Sequence, residues 1–465
     1  VLPEPAQLAL ALVVALPVVM VVTRSWVRFG RLPRGGSAAR DDDGPVVVAS
    51  EYRLARWLTY LGFGTLALLT LRPTPALTLS DWIFLAALVV AVLGYLHESR
   101  GIHMAPPRLI LAGVTMVLIG ALLSLPNAVD GTESLAVVAR FVYITVGWFA
   151  LAGYALRTTR DVSIATNVWV ASVALSGAAA VAQLLAGGSG RMLGFGQHYT
   201  DLGGMCAVAV IPAFFFLDID RLHPAHRIAS AALAALVLAG LLLSGSVDGF
   251  VSAAVGLAIW VWTRGVGRRS LATMLGLAAL FVMVAGAAVQ LGLVLPGARI
   301  ASVLSGPDDP YATFYLRLQT FGQAWQWIGA SPVFGAGFDT ASATSSTVGL
   351  VHNVLIATWF QGGVLALMGI VLVLLAAART AWRAWVGSKT REGQRLAAAL
   401  LASVGSAIAF SMGNPILFQR YVWAPVFLAI ALVGRQAPTR ASVSQEEAAF
   451  GRGVGRATTS ARSSS

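Results

Sequence analysis

NVLIATWFQGGVLALMGIVLVLLAAA, residues 353–378, runs for 26 positions without one charged side chain. A helix of that length, at 1.5 Å per residue, exceeds the ~30 Å of a bilayer's hydrocarbon core. Similar runs recur along almost the whole chain. Apolar residues make up 57% of it, charged residues only 11%, and the mean hydropathy is +0.77, whereas soluble domains carry about 25% charged residues. The expected fold is therefore an all-α polytopic membrane protein.

Hydropathy places spans near residues 6–23, 57–71, 82–96, 109–125, 135–155, 162–186, 202–217, 229–244, 249–263, 271–295, 353–378, 396–412 and 423–434. The expected count is thus 12–13 transmembrane helices. They form a single domain over residues 1–434, with a cytoplasmic tail at 435–465 whose Ser, Arg, Gly and Ala content predicts disorder. The first span lacks a basic segment before it and is followed by arginines, which fits an anchor with its N-terminus outside better than a cleaved signal peptide. Cys206 is the only cysteine and sits in an apolar run, so neither a disulfide framework nor a thiolate metal cluster is available.

The net charge of +12 comes from basic residues scattered singly between spans. That pattern argues against nucleic acid and for membrane topology. With residues 24–56 inside, alternation leaves only Arg72, Arg140, Arg191, Arg299, Arg317 and Arg420 outside, out of 32 basic residues. The asymmetry follows the positive-inside rule and predicts a bacterial cytoplasmic membrane protein with its polar chemistry on the extracytoplasmic side. One outer loop, 296–350, is far longer than the rest, and such loops are usually functional. Within it Phe314, Leu318, Phe321, Trp325 and Ile328 recur at steps of 4, 3, 4 and 3, the stripe of an amphipathic helix lying on the membrane interface. Pro332, Gly335 and Gly337 end it.

The outward arginines are the first candidates for chemistry, because a guanidinium suits bidentate recognition of phosphate. Arg317 lies in the amphipathic helix, Arg191 in a Gly-rich loop and Arg420 in the last outer turn. Singly, each can snorkel to headgroups or pair with the outer acids Asp201, Asp308, Asp309 and Asp339; several meeting in one place would call for an anion. His352 and Asn353 stand at the start of the eleventh span. The histidine can serve as a general base near neutral pH or donate to a phosphate oxygen, and the alternative is a helix-capping pair. Gln197-His198-Tyr199-Thr200-Asp201 is polar enough to bind sugar hydroxyls, but as a metal site it offers only His198 and Asp201. Asp248, in Ser244-Gly245-Ser246-Val247-Asp248, could be a buried acid near the outer face or a turn residue, and its Gly and Ser neighbours favour the turn. No P-loop, H-E-x-x-H or G-x-S-x-G is present, which removes ATP hydrolysis, zincin and nucleophile-elbow chemistry.

The order Arg317, Trp325, Pro332, Gly335-Ala336-Gly337, His352-Asn353 and then Gln361-Gly362-Gly363 resembles the O-antigen ligase and polymerase family, as does a long outer loop with three spans after it. The resemblance implies a glycosyltransferase of the GT-C type that uses no metal or other cofactor. Its donor would be a saccharide on a polyprenyl diphosphate and its acceptor a hydroxyl of a glycan or glycolipid, with inversion at the anomeric carbon. Arg317 would hold the diphosphate and His352 would be the catalytic or phosphate-contacting histidine, with Arg191, His198, Asp201, Asn353 and Arg420 around the substrates. The chain departs from the family at Ser244–Asp248, where the family commonly has Ser-Arg. Two rivals remain. A transporter or flippase would carry its ionisable residues near the bilayer midplane on broken helices. A different polyprenyl-phosphate glycosyltransferase would need an essential acid such as Asp81, Asp130 or Glu133.

Overall fold

A computed structural model describes residues 50–73, 77–97, 107–217, 224–264, 313–342, 350–415, 417 and 419–433. Among them there are twelve helical stretches and no strand: α1 (Ser50–Thr65), α2 (Leu79–His97), α3 (Arg108–Ser124), α4 (Gly131–Ala155), α5 (Thr159–Leu185), α6 (Tyr199–Leu217), α7 (Pro224–Leu243), α8 (Val247–Arg264), α9 (Thr313–Ala330), α10 (Val354–Val386), α11 (Arg391–Ser411) and α12 (Arg420–Val433). Eight are long and apolar enough to cross a membrane, so the chain is a multi-pass membrane protein. The expected spans at 6–23 and 271–295, Arg299, Asp308, Asp309 and the tail 435–465 lie outside the described residues.

Of the eleven described spans, two differ from their expected limits. The span expected at 57–71 is α1, which begins earlier and stops at Thr65. Leu66–Leu71 continues as turns in which the apolar residues are buried and Thr70 is exposed, its N–H donating to the Phe195 carbonyl. The span at 353–378 runs on to Val386. Its 33 residues would measure roughly 50 Å, against ~30 Å of hydrocarbon, so α10 protrudes from the membrane. Near its far end Trp382 and Trp385 stack with Trp262 of α8, as aromatic rings do at a headgroup boundary.

Without water between them, helices in lipid associate by close van der Waals packing of small residues. The α3–α10 pair shows this. A Cβ on Gly113 would stand 2.7 Å from the Gly369 carbonyl oxygen, and one on Gly120 would stand 2.7 Å from that of Gly362. The segments joining α1–α2, α3–α4, α5–α6, α7–α8, α9–α10 and α11–α12 then gather at one end, called below the His352 end. At the other end Asp161 caps α5 through Thr158 and accepts from Tyr60 and Arg56.

α10 is broken ten residues below His352. Gly363 has φ 72°, ψ −177°, a conformation open essentially only to glycine. The turn after α9 fills the break: Ala336 and Gly337 N–H donate to the Phe360 and Gln361 carbonyls at 2.8 and 2.9 Å, and Val364 N–H donates to Pro332 O at 3.0 Å. The Trp359 indole also donates to Pro332 O. Non-helical backbone at membrane depth is tolerated only where protein satisfies it, and here it does. Gly363→Ala should therefore cost at least ~1–3 kcal/mol from backbone strain before its clash with the Val333 carbonyl. Melting of the purified protein in detergent should show a clear drop; an unchanged midpoint would contradict this reading of the break.

Candidate functional site

α9 carries the amphipathic stripe as expected. Phe314, Leu318 and Trp325 are exposed, while Ala324 and Ile328 pack on Phe360 and Trp359 of α10. This anchoring aims Arg317 at the first turn of α8, where its guanidinium meets the Asp248 carboxylate fork to fork, Nη2–Oδ2 at 2.9 Å and Nη1–Oδ1 at 3.1 Å. Asp248 is thus not the turn residue expected from its Gly/Ser surroundings: it sits inside α8, with Ser246 capping the first turn through the Gly249 N–H. Its second oxygen accepts from Asn414 Nδ2 at 3.3 Å, which brings in the turn after α11. Gly413 packs so closely there that an added Cβ would stand 2.7 Å from the Asp248 carboxyl carbon.

His352 completes the group. It is half-buried, it lies within the fields of Arg317 and Asp248, and its side chain faces Asn414. Its Nδ1 is buried and makes no hydrogen bond among the described residues. Burial and then the Arg317 charge hold the imidazole at about 4, with Asp248 and Asn414 pulling the other way. The ring is therefore neutral through the physiological range, with an acceptor nitrogen free. Four segments far apart in the chain build this corner: α9, the start of α8, the approach to α10 and the 412–419 turn.

The other expected site residues divide. Arg191 is close in structure to Asp248's turn: its Nε donates to Ser244 O at 2.7 Å and its guanidinium lies 4.4 Å over the Tyr199 ring. Asn353 proves to be the cap of α10, accepting from Leu355 and Ile356 N–H and donating to Met412 O. It ties the site together without facing it. Asp201 is buried and occupied, accepting from Gln197 and His198 N–H and from the Tyr421 hydroxyl; a substrate-binding role for it does not fit. His198 is exposed on that loop and gives Asp201 only its backbone N–H.

Arg420 does not converge with Arg317. It is buried at the start of α12 against Asp81, with Nε–Oδ1 at 2.7 Å and Nη2–Oδ2 at 2.5 Å. Asp81 also accepts from the Thr78 N–H and hydroxyl. Phe84 of α2 and Phe427 of α12 join Phe63 and Trp148 in one buried aromatic cluster. Removing either member of the Arg420–Asp81 pair would leave a buried charge, a loss of ~3–5 kcal/mol, so both residues serve the fold. The acids that pair with the arginines are thus Asp248 and Asp81, neither of which was in the expected set. An acid at the edge of an apolar run needs a cation, and that was the signal for both. Asn414 carried no sequence signal. Glu133 accepts from Thr340 and Asp130 caps α4. Among the described residues no three His, Cys, Asp or Glu side chains come together.

The field of Arg317 on His352 can be measured. Arg317→Gln removes the cation that disfavours imidazolium, so the midpoint should rise from about 4 toward the ordinary histidine value. Modification of His352 by diethyl pyrocarbonate, read by mass spectrometry against pH, should lose reactivity at higher pH in the variant than in the parent. Identical profiles would separate the two residues. No protein-family model matches this chain, and no curated protein matches it in sequence.

Proposed function

We propose that the protein transfers a saccharide from a polyprenyl diphosphate carrier to an acceptor hydroxyl, and that the His352 end is the extracytoplasmic face of a bacterial cytoplasmic membrane. The orientation rests on the arginine asymmetry of the loops. The transfer rests on one observation: a neutral imidazole with an unoccupied buried nitrogen beside an Arg317 guanidinium that Asp248 holds in place. The order of motifs shared with O-antigen ligases and polymerases adds to it.

In the reaction the acceptor oxygen attacks the anomeric carbon while the bond from that carbon to the diphosphate oxygen breaks. His352 takes the hydroxyl proton, and the polyprenyl diphosphate leaves with the electron pair. Direct displacement inverts the anomeric centre. A positioned guanidinium stabilises the growing phosphate charge without reorganising, and Arg317 supplies it. Asp248 fills Arg317's fork, the geometry a phosphate would take. A bound diphosphate shares or displaces that carboxylate. It also offsets Arg317's field on the imidazole, which raises its basicity when a base is needed. Diphosphate binding thus makes His352 a better base.

A transporter reading draws on the break in α10. The 332–337 turn satisfies that break from within the protein, and the His352 group sits at the end of the bundle rather than midway along it. The test uses purified protein, a synthetic polyprenyl-diphosphate oligosaccharide and an acceptor glycan. His352→Ala and Arg317→Ala should each lower turnover by roughly 10²-fold or more while remaining monodisperse in detergent. Full activity in both would refute the proposal, and substrate uptake into sealed vesicles without transfer would favour transport.

A further inference from the structure

The second arginine group, around Arg420, is as informative as the first. Three guanidiniums meet there: Arg72 of the α1–α2 segment, Arg140 of α4 and Arg420 of α12. One carboxylate, that of Asp81, is spent on Arg420. A second acid that acts on Arg72 among the described residues, Asp201, accepts from two backbone N–H groups and the Tyr421 hydroxyl. A connected chain of contacts shows that these residues form one place. Arg72 donates to Gln197, whose own backbone N–H goes to Asp201. Tyr421, next to Arg420, reaches the same Asp201. Tyr143, one turn after Arg140, donates to the Asp81 backbone carbonyl at 2.9 Å.

Arg140 is the unusual member. It is half-buried, nine residues into a span that begins at Gly131, which is roughly 14 Å along the helix. Its guanidinium makes no hydrogen bond or ion pair among the described residues. Just below it α4 widens into a π-helical turn, Tyr143–Trp148, a rare form that occurs mostly at functional sites. Burial, and then the neighbouring charges of Arg420 and Arg140, lower the basicity of Arg72, which shows how closely the cations crowd. An arginine in a membrane-crossing segment without a counter-ion is costly, and an anion would relieve the cost.

We propose that Arg72 and Arg140, set around the Arg420–Asp81 pair, form a second anion site, separate from His352, which takes a phosphate or diphosphate group at the membrane boundary. Arg420 and Asp81 are the frame; Arg72, which is exposed, and Arg140 are the ligands. The group can come from a lipid headgroup or from a free anion. Because the site uses none of the His352 group, it does not rest on the transferase reading.

The test places the full chain in phosphatidylcholine nanodiscs, in an Arg317→Gln background that silences the first site. Native mass spectrometry then follows binding of farnesyl diphosphate, phosphatidic acid and inorganic diphosphate. Saturable binding is expected, weakened about tenfold or more by Arg140→Gln and by Arg72→Gln, as for loss of a charge-assisted hydrogen bond, and weakened less by Arg140→Lys. Preference for the two lipids identifies a headgroup site, and equal binding of inorganic diphosphate identifies a free-anion site. Arg72→Gln, at an exposed position, covers the case in which Arg140→Gln fails to fold. No saturable binding of any probe, or binding within twofold in both Gln variants, overturns the proposal.

Discussion

A helix in lipid has no water to satisfy a broken turn, so the backbone groups freed at Phe360–Val364 must find protein partners. They find them in Pro332–Gly337. The consequences reach well beyond the break. Because the turn follows directly on α9, its hydrogen bonds fix where α9 lies, and because the break is within α10, they fix α9 relative to His352 at the head of that helix. Arg317 and the imidazole come from segments 35 positions apart, yet both are held to one rigid joint. A sterically demanding residue at Gly335 or Gly363 would loosen the joint and the site together.

Around the joint, pairing decides which charges are free to act. Arg317 is balanced by Asp248, and Arg420 by Asp81. Asp248 keeps the Arg317 fork aligned in the empty site. Asn414, which touches both Asp248 and His352, couples the turn before α12 to the same corner. Gln419, Arg420 and Tyr421, which belong to the second arginine group, follow Asn414 within seven positions.

The membrane fold was readable because a span is a local property: long apolar runs separated by short polar gaps survive any detail of packing, and nine of the eleven expected runs among the described residues became helices within about five residues of their limits. The stripe of α9 was readable for the same reason. The pairings were not. Arg317 and Asp248 are 69 positions apart, and Arg420 and Asp81 are 339 apart, and no periodicity links them. Asp248 looked like a turn residue because Gly and Ser precede it, while the cation that gives it purpose lies in another loop. Asn353 was expected both as a cap and as a substrate ligand, and its amide is used up as a cap. Arg420 was expected to join Arg317 because both face one side; topology gives the side of a residue but not its neighbour.

The central claim is that Arg317, held by Asp248 beside His352, receives a lipid-borne diphosphate. It is tested most directly by a cryo-electron-microscopy structure of the full chain in nanodiscs with a sugar-free polyprenyl diphosphate, the leaving product. The account predicts diphosphate density within hydrogen-bond distance of the Arg317 guanidinium, the Asp248 pair opened or shared, and His352 Nδ1 facing the space where a sugar would sit. An unaltered Arg317–Asp248 pair with the diphosphate bound elsewhere, at saturating ligand, would contradict it.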